Sequence, residues 1–163
     1  MDKVKIGIFG IGHNHAAPAI AALKKCQNAE IVGLCEESDD MYQMRLKENS
    51  AVYGDIPRMS KEDLFSSGIE AATVEESVPR LVKTATECAA SGLHVHMDKP
   101  AGTDLEEYAK FLSIVKAPNL VFQAGYMYRS VGETERYSGR KMQDVEIIYK
   151  FVGAINLPQY GSD

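Results

Sequence analysis

The sequence predicts an α/β fold, a doubly wound parallel sheet, and three observations carry that expectation. Short apolar runs at residues 4–9, 30–35, 69–74, 93–97 and 120–124 alternate with longer stretches of helical spacing. Such alternation is the pattern of parallel sheets with right-handed crossovers. A further strand-like run at residues 145–152 brings the strand-like segments to six. The residues able to do chemistry, at positions 10–15, 36, 75–77, 98–100 and 125–129, each follow an apolar run. Ligands of doubly wound sheets bind outside the carboxyl ends of the strands, so these segments are expected to converge on one crevice.

The first strand runs into Gly10-Ile11-Gly12-His13-Asn14-His15, and a helix-compatible stretch follows at residues 16–25. In the nucleotide-binding form of this turn the first glycine permits the bend and the second admits a pyrophosphate to the helix N-terminus. His15 occupies the third glycine position. The next strand ends in Glu36, close to the spacing of about 20 residues at which a carboxylate reaches the ribose hydroxyls of NAD. Residues 39–48 favour a polar helix capped by Ser38 or Asp39. Residues 53–57 read as a loop, and Ser60 with Asp63 three positions on marks a short capped helix ended by Gly68.

After the strand at 69–74, Val78, Leu81, Val82, Ala85, Cys88 and Ala89 recur at helical spacing up to Gly92. The strand at 93–97 then meets Asp98-Lys99-Pro100. Proline fixes its own φ and biases Lys99 toward extended backbone, which presents the ammonium at a defined place. Such a group hydrogen-bonds a ligand hydroxyl or carbonyl. Thr103 is expected to cap a helix in which Leu105, Tyr108, Ala109, Leu112 and Val115 share one face.

Composition sets the outer limits. With 163 residues, 45% hydrophobic and 25% charged, the chain can bury a core. A net charge of −5 argues against a nucleic-acid partner. The three cysteines form no framework and point to a reducing compartment, and no apolar run is long enough for a membrane span, so a cytoplasmic protein is expected. His13/His15 and His94/His96 are both H-x-H pairs, and because alternate residues of a strand share a face, His94 and His96 have the spacing of joint zinc ligands. No metal centre is expected: His94 reads as a packed strand residue, and His13 and His15 as hydrogen-bond donors to cofactor or backbone.

The glycine turn, the run from Gly92 through Asp98-Lys99-Pro100 to Gly102, and Gly125-Tyr126-Met127-Tyr128-Arg129 together resemble the Gfo/Idh/MocA family of oxidoreductases over about residues 3–130. The resemblance implies a Rossmann domain at residues 1–125 and, at 126–163, a domain junction with the start of a truncated or missing substrate domain. It implies an oxidoreductase that takes hydride from a secondary alcohol of a sugar, inositol or related polyol, and a homo-oligomer at full length. Lys99 matches the family lysine that polarises the substrate oxygen. Gly10, Ile11, Gly12, His13, Asn14, Glu36, Asp98, Lys99 and Pro100 fall at cofactor positions, with Lys99, Tyr128 and Arg129 toward substrate. Glu36 favours NAD over NADP, because a 2′-phosphate would meet a carboxylate.

Two departures stand out. Glu75 and Glu76 occupy the place of a Thr-Pro-Asn-like turn, where they either bind a substrate hydroxyl or face water. The family's proton-transfer histidine belongs to the second domain, and no histidine follows His96. Two other readings therefore stand beside the enzyme: a nucleotide-binding regulatory module without turnover, and a silent fragment of a longer oxidoreductase.

Overall fold

The computed structural model describes residues 3–116, 120–125, 151–152 and 155. Its elements, in order, are β1 (Val4–Phe9), α1 (Ala16–Lys25), β2 (Ala29–Cys35), α2 (Asp39–Glu48), α3 (Ser50–Tyr53), α4 (Lys61–Ser66), β3 (Ala71–Val74), α5 (Val78–Ala90), β4 (His94–Met97), α6 (Leu105–Val115) and β5 (Phe122–Ala124). The five strands form one sheet in the order β2-β1-β3-β4-β5, and every pairing is parallel. The chain leaves β1 outward to β2 and returns on the other side of β1 as β3. That reversal is the topological switch point, where the strand ends part and a crevice opens. Beyond β2 a single parallel bridge, Leu34 to Arg58, marks a rudimentary further strand just after the segment expected to be a loop.

Side chains of successive strand residues leave on opposite faces, and two cores result. Ile6, Ile8 and Ala71 pack with Ala16, Ile20 and Leu23 of α1 on one face. Phe9, Ala72, Val74, Val95 and Met97 pack with Leu64 of α4, Leu81, Val82, Ala85 and Cys88 of α5 and Phe111 of α6 on the other. Each apolar side chain buried in this way contributes roughly 1.5–3 kcal/mol relative to exposure.

The caps expected at Ser38 and Ser60 are present, accepting from the backbone N–H of Met41 and Asp63 at 3.2 and 3.0 Å. The next helix departs from expectation. Asp104, not Thr103, caps α6, its Oδ1 accepting from Glu106 and Glu107 N–H at 2.8 and 3.0 Å. A carboxylate serves two amides at once and complements the helix dipole, which a threonine hydroxyl does not. The buried face of α6 is also rotated: Leu105 is 86% exposed, whereas Phe111 is fully buried, edge-on to Phe122 with ring centroids 4.8 Å apart.

A strand was expected through residues 145–152. Phe151 and Val152, the part of it that is described, are helical and buried on the α1 face, with Phe151 against the His96 ring at 5.7 Å. That face already has its strands, and what covers a sheet face is helix.

His94 and His96 are both spent on β5. His94 Nδ1 accepts from Val121 N–H at 3.0 Å, and His96 Nδ1 lies 3.2 Å from Gln123 Oε1. Burial holds His94 below the ordinary histidine value, partly offset by the Glu70 carboxylate. Accepting from Val121 requires an unprotonated Nδ1, so the folded state takes up this proton later than the unfolded chain. Stability is therefore complete above pH about 6.5 and declines as pH falls from there toward the folded pKa. Urea unfolding at pH 7.5 and 5.5, with amide exchange at Val121, should show lower stability and faster exchange at the acid pH. His94→Asn, which has no titrating ring, should shrink that difference; an unchanged difference would remove His94 as a contributor.

Candidate active site at the carboxyl ends of the strands

The glycine turn is held from both neighbouring strands. Gly10 N–H donates to Cys35 O at the end of β2 (2.8 Å), and His13 N–H donates to Glu75 O beyond β3 (2.9 Å). Gly10 has φ +75°, a left-handed conformation that only glycine adopts without cost, and a Cβ there would stand 2.6 Å from Glu76 Cγ and 2.9 Å from its Cα. A Cβ on Gly12 would stand 3.1 Å from Ser77 N. In this structure the glycines are required by the residues 75–77 segment beneath the turn, before any ligand enters. Helix α1 begins directly afterwards with His15 at its N-cap and no side-chain cap; Ala16 N–H donates to His13 O at 3.2 Å and Pro18 has no N–H, so the first turn keeps the Ala17 amide for a ligand.

Glu36 is 6% exposed, and both its oxygens accept backbone hydrogen bonds at 3.0 Å, Oε2 from Ile11 and Oε1 from Ser38. The carboxylate thus ties the glycine turn to the start of α2. Arg45, on the next turns of α2, completes the clamp. Its Nε donates to Ile11 O (3.0 Å), and its Nη2 to Gly12 O (2.8 Å) and Asn14 Oδ1 (3.2 Å). Sequence reasoning missed Arg45, which sits in a strongly polar helix with no motif around it; only the folded position of α2 reveals its role.

An open cleft of about 520 Å³ lies beside Glu36, lined by Glu37, Arg58, Met59, Ser60, Lys61 and Glu62. Its charges are paired: Glu37 holds Lys61 at 3.2 Å and also pairs with Arg80, and these hydrogen bonds keep its carboxyl below the usual range. Arg58 donates to Glu36 O (2.7 Å), pairs with Asp39 (2.7 Å) and lies over the Tyr42 ring. Burial pushes the Cys35 thiol up to about 11, so it is no nucleophile at neutral pH. A second cleft, of about 430 Å³, lies at the amino end of β2, among Lys3, Lys24, Cys26 and Asp55, away from all of these groups.

Across the switch point, Asp98 follows β4 and is 3% exposed. Its carboxylate is in ion-pair contact with His13 Nδ1 and lies 3.2 Å from His15 Nδ1. The two rings meet edge to face at 4.8 Å, and burial holds His13 below its ordinary value. One donor atom from each of His13, His15 and Asp98 lies within 4.8 Å of the others, a grouping able to hold a metal ion. Lys99, half-buried, comes next, and its bond to Pro100 is cis. Ile11 is wholly buried and both its backbone groups are already paired, with Glu36 and Arg45; Asn14 and Pro100 are exposed.

Glu75 and Glu76 do not face water. They are 1% and 6% exposed, Glu75 with His96 Nε2 at 3.9 Å and Glu76 with Arg80 at 3.0 Å. The segment bearing them is drawn under the glycine turn by the Glu75 N–H bond to Phe9 O. Burial raises Glu76 and depresses His96 to about 4, leaving that imidazole neutral. Tyr128 and Arg129 lie outside the described residues. The structure thus brings Gly10 to Asn14, Glu36, Asp98, Lys99 and Pro100 to one end of the sheet, as the strand-end argument anticipated.

A parallel sheet with a glycine turn at its switch point and an acid closing β2 defines a Rossmann-like α/β fold. No family model and no curated protein matches the sequence. Among solved structures it is similar to myo-inositol 2-dehydrogenase from Lactobacillus plantarum, with TM-score 0.67 and 23% identity over 84% of this chain and 40% of that one. The scyllo-inositol dehydrogenase of Lactobacillus casei with bound NAD(H) and scyllo-inositol gives TM-score 0.65, 23% identity and the same coverages. A putative NADPH-dependent oxidoreductase from Desulfitobacterium hafniense gives 0.69 at 18% identity, over 83% and 38%. The structures this chain resembles are inositol dehydrogenases and oxidoreductases, the class to which its motifs pointed. The chain spans about 40% of the length of the inositol dehydrogenases. No helix among the described residues is long and apolar enough to cross a membrane.

Gly10 and Gly68 have nearly the same φ, +75° and +77°, but a Cβ at Gly68 meets nothing within 4 Å. Gly68→Ala should cost only the left-handed backbone, about 1–2 kcal/mol. Gly10→Ala must in addition displace Glu76, and thermal denaturation should find it the more destabilising by at least about 1 kcal/mol. Equal losses would show that residues 75–77 do not constrain the turn.

Proposed function

We propose that this chain is the dinucleotide-binding part of an NAD-dependent oxidoreductase of the Gfo/Idh/MocA family, acting on a secondary alcohol of a sugar, inositol or related polyol. The observation that carries the reading is the convergence of the uncapped α1 terminus, the Glu36 carboxylate and the Lys99 ammonium on one end of the sheet. The donor set fits a dinucleotide. The Ala17 amide and the α1 dipole attract a diphosphate, and the Arg45 guanidinium, spread over the Ile11 and Gly12 carbonyls, adds positive charge there. Gly10, Ile11, Gly12, His13 and Asn14 line the diphosphate, and Glu36 takes the adenosine ribose with its unused lone pairs. The cleft beside Glu36 has room for the adenine.

Bound NAD supplies the hydride acceptor, the part of the chemistry that protein side chains lack. The chain's own contribution is placement. Asp98, Lys99 and Pro100 are assigned to the nicotinamide end, and Lys99 donates to the substrate oxygen and draws electron density from it. Tyr128 and Arg129 are assigned to the substrate side by resemblance. The substrate wall belongs to a second domain beginning near residue 126, with oligomerisation of the full-length protein and a cytoplasmic location as parts of the same proposal.

Calorimetric titration tests the reading. The purified chain should bind NAD at least about tenfold more tightly than NADP, a difference of ~1.4 kcal/mol. Equal affinities would remove Glu36 as the ribose ligand, and no binding of either would overturn the proposal. Lys99→Ala should move the melting temperature little, within about ±0.5 kcal/mol, with NAD affinity nearly intact; a variant that unfolds would make Lys99 a structural residue instead.

A further inference from the structure

We propose that His13, His15 and Asp98 form a binding site for one divalent transition-metal ion, zinc by preference, that leaves one coordination position open. The inference goes beyond the dinucleotide reading and does not depend on it. Two imidazole nitrogens and one carboxylate oxygen are donors that zinc accepts at about 2.0–2.2 Å, which places tetrahedral ligand atoms roughly 3.3 Å apart. His15 Nδ1 and Asp98 Oδ2 are already 3.2 Å apart, and the whole set of donors lies within 4.8 Å. Magnesium and calcium prefer an all-oxygen shell, so this nitrogen-rich set selects against them.

The framework is fixed before any ion arrives. His13 is anchored through its N–H to Glu75 O, and Asp98 through its N–H to Val74 O at 3.2 Å. Asp98 is almost wholly buried between two imidazoles, and a buried carboxylate gains electrostatically from a cation beside it. Gly125 keeps the space clear: a Cβ on it would stand 2.8 Å from Asp98 Oδ1. Binding does have a cost, since the His15 N–H now donates to His13 Nδ1 at 3.3 Å and would need water instead. Three protein ligands leave the fourth position of a tetrahedral ion for water or a ligand oxygen, which is how zinc sites with an open position are built. Position in the chain concealed the set, because Asp98 is 83 residues from His15 and only the strand order brings them together.

The test uses the chain stripped with chelator, without nucleotide, titrated with zinc chloride in a calorimeter and with cobalt chloride in a visible spectrometer. One equivalent of each should bind, and cobalt should give the intense visible bands of a four-coordinate nitrogen and oxygen site without thiolate charge transfer. His13→Gln and His15→Gln should each weaken zinc at least tenfold, whereas Cys26→Ser should not. Absence of stoichiometric binding, or binding that survives both histidine variants, overturns the site, as does a loss caused by Cys26→Ser. Asp98→Asn should behave like the histidine variants, and if it fails to fold, His15→Gln, at a partly exposed ring, still decides. NAD titrated separately into the stripped chain keeps failure of this site distinct from failure of the dinucleotide reading.

Discussion

The carboxyl end of the sheet depends on how residues 10–15 satisfy their backbone groups without a strand ladder or a helix. Buried amides and carbonyls must be paired, and at a switch point the neighbouring strands diverge and cannot do all of it. Here the partners come from four directions: Cys35 O from β2, Glu75 O from beyond β3, the Glu36 carboxylate on Ile11 N–H, and the Arg45 guanidinium on the carbonyls of Ile11 and Gly12. A turn so held is rigid in the free protein. That matters for binding, since ordering a loop on association would otherwise subtract from affinity.

The same end of the sheet carries four buried acids, Glu36, Glu75, Glu76 and Asp98, in a chain with only seven buried polar or charged residues in its described part. Buried carboxylates are tolerated only with partners, and each of these has a different kind: backbone amides for Glu36, Arg80 for Glu76, the His96 ring near Glu75, and two histidines for Asp98. Acids concentrated at one end of a sheet, with no such cluster in either apolar core, are difficult to explain by stability, because apolar residues of similar size would serve at least as well.

Much of this was legible in the sequence, for identifiable reasons. Strand runs, the Ser38 and Ser60 caps, the bend at Gly10 and the helix end at Gly68 follow from local chemistry, which a linear reading sees. Lys99 at a strand end followed from the proline after it. The misreadings lie where tertiary packing outweighed local pattern. Thr103 and Asp104 are both good caps, and their choice depends on where the chain emerges from the Gly102 turn. Leu105 fits a helical stripe as well as Phe111 does, but only Phe111 meets Phe122. Glu75 and Glu76 left two readings open, a ligand hydroxyl or water, and only their burial decides against water. Arg45 and the pairing of His13 with Asp98 rest on contacts between distant segments, which no local window contains.

The two halves of the site differ electrostatically in a way that bears on what each can do. Around Glu36 the charges close on themselves: Glu37 with Lys61 and Arg80, Arg58 with Asp39, and Lys61 also with Glu87 at 3.0 Å. That half offers shape and spare lone pairs more than net field. Around Asp98 the balance is different, with one buried carboxylate, two histidines and the Lys99 ammonium as its neighbour. There protons can be held, moved or replaced by a cation, and histidine is the side chain that does this near neutral pH. The two electrostatic environments are thus separated across the switch point, with the clamped glycine turn between them.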